Sequence, residues 1–209
     1  MAGKVTSLKY QKKNRDRVSV YLDDRFAFGL PAIVAARLSR GQVLSDAEIE
    51  ALQGEGAVET VYGKTLDFLS YRPRSQAEIE IYLRKRGMAD PQIESVVERL
   101  ERAGLVDDEA FARFWVENRE RFRPKGPRAL RYELRTKGVS SAVIDQALSG
   151  MDVSDSAYRS AAKKARQLGH QDRQTFNKKL VEYLARRGFD YGVAREAAER
   201  HWVELTASE

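Results

Sequence analysis

The 209-residue chain contains no cysteine. That excludes disulfides, thiol nucleophiles and cysteine-ligated zinc or iron–sulfur centres. Only two histidines occur, His170 and His201. Neither has a histidine at ligand spacing, so no HExxH site can be assembled, and no Ser–His–Asp set can be proposed. His170 falls in the polar loop LGHQD and His201 stands beside Trp202, places that suit surface or packing roles. GQVLS and GEGAVET lack the lysine and the strand–helix setting of a phosphate loop. No apolar run approaches the length of a membrane span, and no apolar stretch follows the N-terminal lysines. The expectation is a cytoplasmic protein that is not an enzyme, has no cofactor or metal, and has no membrane partner.

Charge is present in quantity but uneven. Residues 1–43 hold nine Lys/Arg against three Asp/Glu, residues 44–125 hold 13 against 17, and residues 126–209 hold 15 against 11. A basic head and tail flank an acidic middle. This suits a polyanion, and equally a protein partner of mixed charge.

Residues 4–28 read as strands. Val18, Val20 and Leu22 alternate with Ser19, Tyr21 and Asp23, with KKNRDR before them as a basic turn. Asp23-Asp24 reads as a tight turn, followed by Phe26 and Phe28 on one face. A short helix is expected from Pro31, and another from Ser45, whose capping box with Glu48 is plain. GEG at 54–56 is expected to break that helix. From residue 57 only helices are visible. Ser75, Asp90 before Pro91, Asp107 or Asp108, and Ser140 or Ser141 are expected to start four of them, and another runs from Asp155. Phe111, Phe114, Trp115 and Phe122 read as the apolar side of the helix after Asp108, which leaves few aromatics for base stacking.

Three stretches resemble one another: YLRKRG at 82–87, ELRTKG at 133–138 and YLARRG at 183–188. Leu83, Leu134 and Leu184 stand four residues before the glycines. Ile93, Ile144 and Ala194 stand six after, and Val97, Leu148 and Ala198 ten after. Such ungapped offsets mark three tandem three-helix units of about 50 residues. Units this small bury little surface alone and must pack on one another. The fold class expected is therefore mainly all-α: an elongated, curved stack of three three-helix repeats behind a small N-terminal β-hairpin and short helices. The segments are 1–56, 57–104, 105–150 and 151–209. Gly87, Gly138 and Gly188 read as left-handed helix C-caps, with nearby cations suited to the helix dipole. Capping accounts for the glycines and part of the basicity.

The remaining cations are the binding candidates. RERFRPKGPRALR at 119–131 carries six Lys/Arg and one Glu at a helix junction. Charge placement selects Arg72, Arg74, Arg84 and Arg86 in the first unit, and Arg121, Arg123, Lys125 and Arg128 at the second junction, as protein-binding candidates. Lys163, Lys164, Lys178 and Arg187 in the third unit are the DNA-facing candidates.

The joint pattern resembles the RecX family of bacterial recombinase regulators over nearly the full chain. The stretches that carry the resemblance are NRDRVSVYLDDRFAFGL, YRPRSQAEIEIYLRKRG, IESVVERLERAGLVDDEAFARFWVENR and RFRPKGPRALRYELRTKGVSSAVIDQAL. YLARRGFDYGVAREAAE follows with less distinctive flanks. The resemblance implies a curved helical-repeat body, monomeric when free, that binds the RecA nucleoprotein filament. It implies restraint of ATP hydrolysis, strand exchange and co-protease activity, with contact to single-stranded or duplex DNA. The other reading is a non-specific DNA-binding or architectural protein.

Overall fold

The structure, a computed structural model, describes residues 2–207. The chain forms two compact units. One holds the chain up to Arg72 together with Ile79–Ala103, and the other holds Pro73–Glu78 with the chain from Gly104 onward.

In the first unit, β1 (Gly3–Gln11), β2 (Asn14–Leu22), β3 (Arg25–Pro31) and β4 (Val43–Leu44) form an antiparallel sheet in the order β3-β2-β1-β4. The expected hairpin is thus the centre of a four-stranded sheet. The basic turn shrinks to Lys12-Lys13, because Asn14–Leu22 are already strand. Asp23 and Asp24 do form the next turn, with φ of +46° and +63°. Positive φ at both central residues matches the twist that an antiparallel hairpin demands. The core face carries Val5, Val18, Val20, Phe28 and Leu30, covered by Val34 and Ala35 of α1 (Ala32–Ala35) and by Leu38 and Leu44.

Phe26 and Phe28 do not share a face. Val20 pairs with Phe28 but Tyr21 pairs with Phe26, so Ala27 is an extra residue. That bulge reverses the alternation. Phe28 is buried and Phe26 is 60% exposed.

α2 (Asp46–Ser70) starts at the expected capping box. The Ser45 Oγ accepts from the Glu48 N–H at 3.3 Å, and the Glu48 carboxylate accepts from the Ser45 N–H at 2.8 Å. GEG does not break the helix, which runs through it without interruption. The expected segment boundary at residue 56 therefore falls inside α2. Glycine costs about 1 kcal/mol in a helix interior. Here Gly56 serves close packing, since a Cβ there would lie 2.7 Å from Leu30 Cδ2. The first repeat continues with α3 (Gln76–Arg84) and α4 (Asp90–Arg102). Ala89, not Asp90, is the N-cap of α4, and the Gln92 side chain accepts from its N–H at 3.1 Å.

The second unit contains α5 (Asp108–Phe122), α6 (Pro127–Thr136), α7 (Ser141–Leu148), α8 (Val153–Leu168), α9 (Arg173–Arg186) and α10 (Tyr191–Thr206). Asp107, Ser140, Asp152 and Asp172 cap α5, α7, α8 and α9 through side-chain oxygens. α8 thus begins earlier than expected, with Asp155 in its first turn. On α5 the buried stripe is Phe111, Ala112 and Val116, with Trp115 packed beside it. Phe114 and Phe122 are exposed, so large aromatics there did not mark the inward face.

The mainly helical body of three-helix repeats stands as expected. Leu83, Leu134 and Leu184 are fully buried, and so are their i−4 neighbours Ile79, Leu130 and Leu180. Gly87, Gly138 and Gly188 have φ of +76°, +80° and +87°. The residue after each glycine, Met88, Val139 or Phe189, is buried. Its N–H reaches back to the carbonyl of the repeat leucine at 3.5, 3.1 and 3.2 Å. That is a Schellman closure, made three times. In the third repeat Ala157, Ala161, Ala165, Ala194, Ala197 and Ala198 share one core with Phe176 and Phe189. Short side chains let α8 and α10 approach closely, and two phenylalanines fill the remaining volume.

Candidate functional site

In the first unit, Arg84 reaches Asp90 at 3.4 Å, and both side chains are more than half exposed. A pair this open contributes little, so Arg84 is available to a partner. Arg86 lies over the Tyr82 ring at 3.4 Å and donates to the Tyr82 carbonyl at 3.3 Å. Tyr82 is itself stacked on Phe68 at 4.1 Å, and its hydroxyl donates to the Lys64 carbonyl at 2.8 Å. Arg86 is thus the exposed end of an aromatic stack. Arg72 is half-buried beyond the end of α2.

In the second unit, Arg74 is half-buried. The junction cations divide into two groups. Arg121 and Arg123 are exposed, with the Arg121 guanidinium 5.1 Å from the exposed Phe122 ring. Arg128 faces Asp190 at 3.8 Å, both largely exposed. Lys125, by contrast, is committed to Glu133. Glu133 also accepts from Trp115 Nε1 at 2.8 Å and from Arg119 Nε at 2.8 Å. Burial pushes the Glu133 carboxyl up, but the donors Lys125, Arg119 and Trp115 together outweigh it and hold the group below its ordinary range.

Arg187, a DNA-facing candidate, is also committed. Its guanidinium donates twice to the Pro124 carbonyl, at 3.2 and 3.0 Å, and once to the Tyr183 hydroxyl at 3.2 Å. Beside it the chains of the second and third repeats cross glycine on glycine. The Gly126 N–H donates to the Arg187 carbonyl at 2.9 Å, and the Arg128 N–H donates to the Gly188 carbonyl at 3.3 Å. A Cβ on Gly126 would fall 2.2 Å from the Gly188 carbonyl oxygen. No other residue permits this approach.

An equivalent crossing joins the α6 terminus to residues 75–78. Ser75 Oγ donates to the Lys137 carbonyl at 2.6 Å, Lys137 Nζ pairs with Glu78 at 2.6 Å, and a Cβ on Gly138 would lie 2.3 Å from Ala77 Cβ. The residue before the repeat glycine, Lys137 or Arg187, therefore ties its helix terminus to the start of an earlier middle helix. This answers why cations recur there: two of the three stitch repeats together.

Lys163 and Lys178 are exposed and Lys164 is half-buried, and none has an acidic partner among the described residues. The expectation of few available aromatics does not hold. Tyr71, Phe122, Tyr132 and Tyr191 are each more than 60% exposed. His201 is buried against Tyr158, ring on ring at 4.1 Å, with Nε2 2.9 Å from the Tyr158 carbonyl oxygen, a packing role. Among the described residues no group of three His, Asp or Glu could hold a metal ion.

Sequence reasoning missed Glu133 and Glu78 as the partners of the basic clusters. A signal was available. Glu133 occupies the position held by Tyr82 and Tyr183 in the other repeats. A carboxylate in an aromatic's place must find cations of its own.

Comparison with known proteins accounts for the whole order of parts. Models of the regulatory protein RecX N-terminal domain and of the RecX first, second and third three-helix domains match residues 3–45, 62–100, 107–148 and 152–198. Regulatory protein RecX of Bacillus subtilis (strain 168) is 34% identical over 202 residues, 94% of this chain and 76% of that protein. The Listeria monocytogenes (strain EGD-e) regulatory protein RecX is 30% identical over 213 residues, 99% of this chain and 78% of that one. A crystal structure of regulatory protein RecX superposes with a TM-score of 0.79 at 27% identity, covering 94% of this chain and 99% of the other. RecX from Lactobacillus salivarius shares the fold, with a TM-score of 0.64 over 70% of this chain and 97% of that one. The chain belongs to the RecX family of regulatory proteins.

Proposed function

We propose that this chain regulates the RecA recombinase, without chemistry of its own. It binds the nucleoprotein filament as a monomer in the cytoplasm and restrains ATP hydrolysis, strand exchange and co-protease activity. Family membership, spread in order over four parts of the chain, is the observation that carries this reading. The stitched junctions support the mode of action. Within the second unit, the repeats joined at Gly126 and Gly188 hold their cations in place, and a multi-unit surface engaging successive filament subunits gains from effective concentration.

The contact residues are Arg72, Arg84 and Arg86 in the first unit and Arg74, Arg121, Arg123 and Arg128 in the second. Lys163, Lys164 and Lys178 face DNA. Lys125 and Arg187 act indirectly, by holding the junctions that position the others. The test is binding to RecA filaments assembled on single-stranded DNA. Arg121→Glu with Arg123→Glu lowers affinity while helicity is unchanged. Unchanged affinity removes the second junction from the contact surface, and no binding by the wild-type chain refutes the reading.

A further inference from the structure

The sheet of the first unit has one face buried by α1 and its flanking residues. The other face has no role in the reading above. There Tyr21 and Phe26 are cross-strand neighbours, with ring centroids 6.0 Å apart and planes at 79°. Lys9, paired across to Ser19, sets its ammonium 5.0 Å from the Tyr21 centroid. The bulge at Ala27 is what delivers Phe26 to this face. Without it, Phe26 would fall in step with the buried Phe28 and Leu30. The fold thus gives up a ladder position to leave a phenylalanine 60% exposed. Burial gains little from such a placement.

The strands carry a net positive charge. Arg25, paired with Leu22, is exposed at this end of the strands, while Lys12, Lys13 and Arg15 are exposed around the turn at the other end. Residues 3–31 hold seven Lys/Arg against three Asp/Glu. One carboxylate of the nearby turn, Asp23, is taken up by the Lys4 N–H at 3.2 Å.

We propose that this outer face is a stacking platform for single-stranded nucleic acid. A base lies against Phe26, the Tyr21 edge flanks it, and Lys9 takes an adjoining phosphate. Aromatics on an open sheet with cations beside them suit unstacked bases. A duplex keeps its bases paired and offers only its phosphates, for which no aromatic is needed.

The platform does not depend on the regulatory reading, because its test contains no recombinase. Anisotropy of a fluorescein-labelled 25-mer of thymidylate is measured with the full chain. Phe26→Ala weakens binding roughly tenfold, the scale of one lost base stack. Phe26→Tyr retains wild-type affinity. Lys9→Ala weakens binding and flattens its salt dependence. A 25-bp duplex of the same label binds Phe26→Ala as it binds the wild type. Phe26 is largely exposed, so circular dichroism of the alanine variant matches the wild type. Equal binding of the single strand by wild type and Phe26→Ala overturns the proposal, as does absence of binding by both.

Discussion

Gly104, Gly138 and Gly188 allow one experiment to separate conformational cost from repeat packing. All three lie in the second unit, with φ of +67°, +80° and +87°. Alanine at each costs about 1–2 kcal/mol for the left-handed backbone. Their surroundings differ. A Cβ on Gly104 meets nothing within 4 Å, one on Gly138 meets Ala77 Cβ at 2.3 Å, and one on Gly188 meets the Ala129 nitrogen at 2.4 Å and its Cβ at 2.5 Å. Overpacking adds about 1–3 kcal/mol. At Gly188 the obstructing atom is backbone, and relief means parting the Gly126–Arg187 and Arg128–Gly188 hydrogen bonds. Each of those contributes about 1 kcal/mol. The expected losses are about 1–2 kcal/mol for Gly104→Ala, about 2–4 for Gly138→Ala and about 3–5 for Gly188→Ala. Urea unfolding followed by far-ultraviolet circular dichroism reads them. With a slope of about 2–3 kcal/mol per molar, Gly188→Ala moves the midpoint by more than about 1 M and Gly104→Ala by about half that. Equal shifts for all three would refute the claim that the glycine crossings join the repeats.

Three further outcomes follow from the same geometry. Glu133→Gln removes the partner of Lys125 and weakens the hydrogen bonds from Arg119 and Trp115, a loss of about 2 kcal/mol at neutral pH by thermal or urea melts. The folded Glu133 carboxyl lies below its unfolded value, so its stabilisation is complete above about pH 5 and fades as pH falls through the folded value. The gap between wild type and Glu133→Gln therefore closes in acid, and a gap that widened there would contradict the assignment. Asp24→Gly relieves a positive φ of +63° at an exposed turn position and raises stability by about 0.5–1 kcal/mol, read by thermal denaturation.

Much of the repeat body was legible from the sequence, because Schellman glycines and leucine offsets are local signals repeated three times. Gly87, Gly138 and Gly188 needed only their spacing. The rest depended on contacts between distant segments. GEG read as a helix breaker because Leu30, which Gly56 must approach, is far away in sequence. Phe26 read as sharing a face with Phe28 because a one-residue bulge is invisible to an alternation count. Lys125 and Arg187 read as free cations because Glu133 and the Pro124 carbonyl reach them only in the folded chain. Arg121, Arg123, Lys163 and Lys178 are exposed, and Lys164 is half-buried.

The central claim is that this chain restrains a recombinase by occupying its filament. The most direct measurement is ATP hydrolysis by the cognate RecA on single-stranded DNA, with strand exchange followed in parallel, as the chain is added. The account predicts that both fall to a plateau, that the chain alone hydrolyses no ATP, and that Arg121→Glu with Arg123→Glu shifts the titration to higher concentration. Undiminished hydrolysis and strand exchange at saturating chain would contradict it.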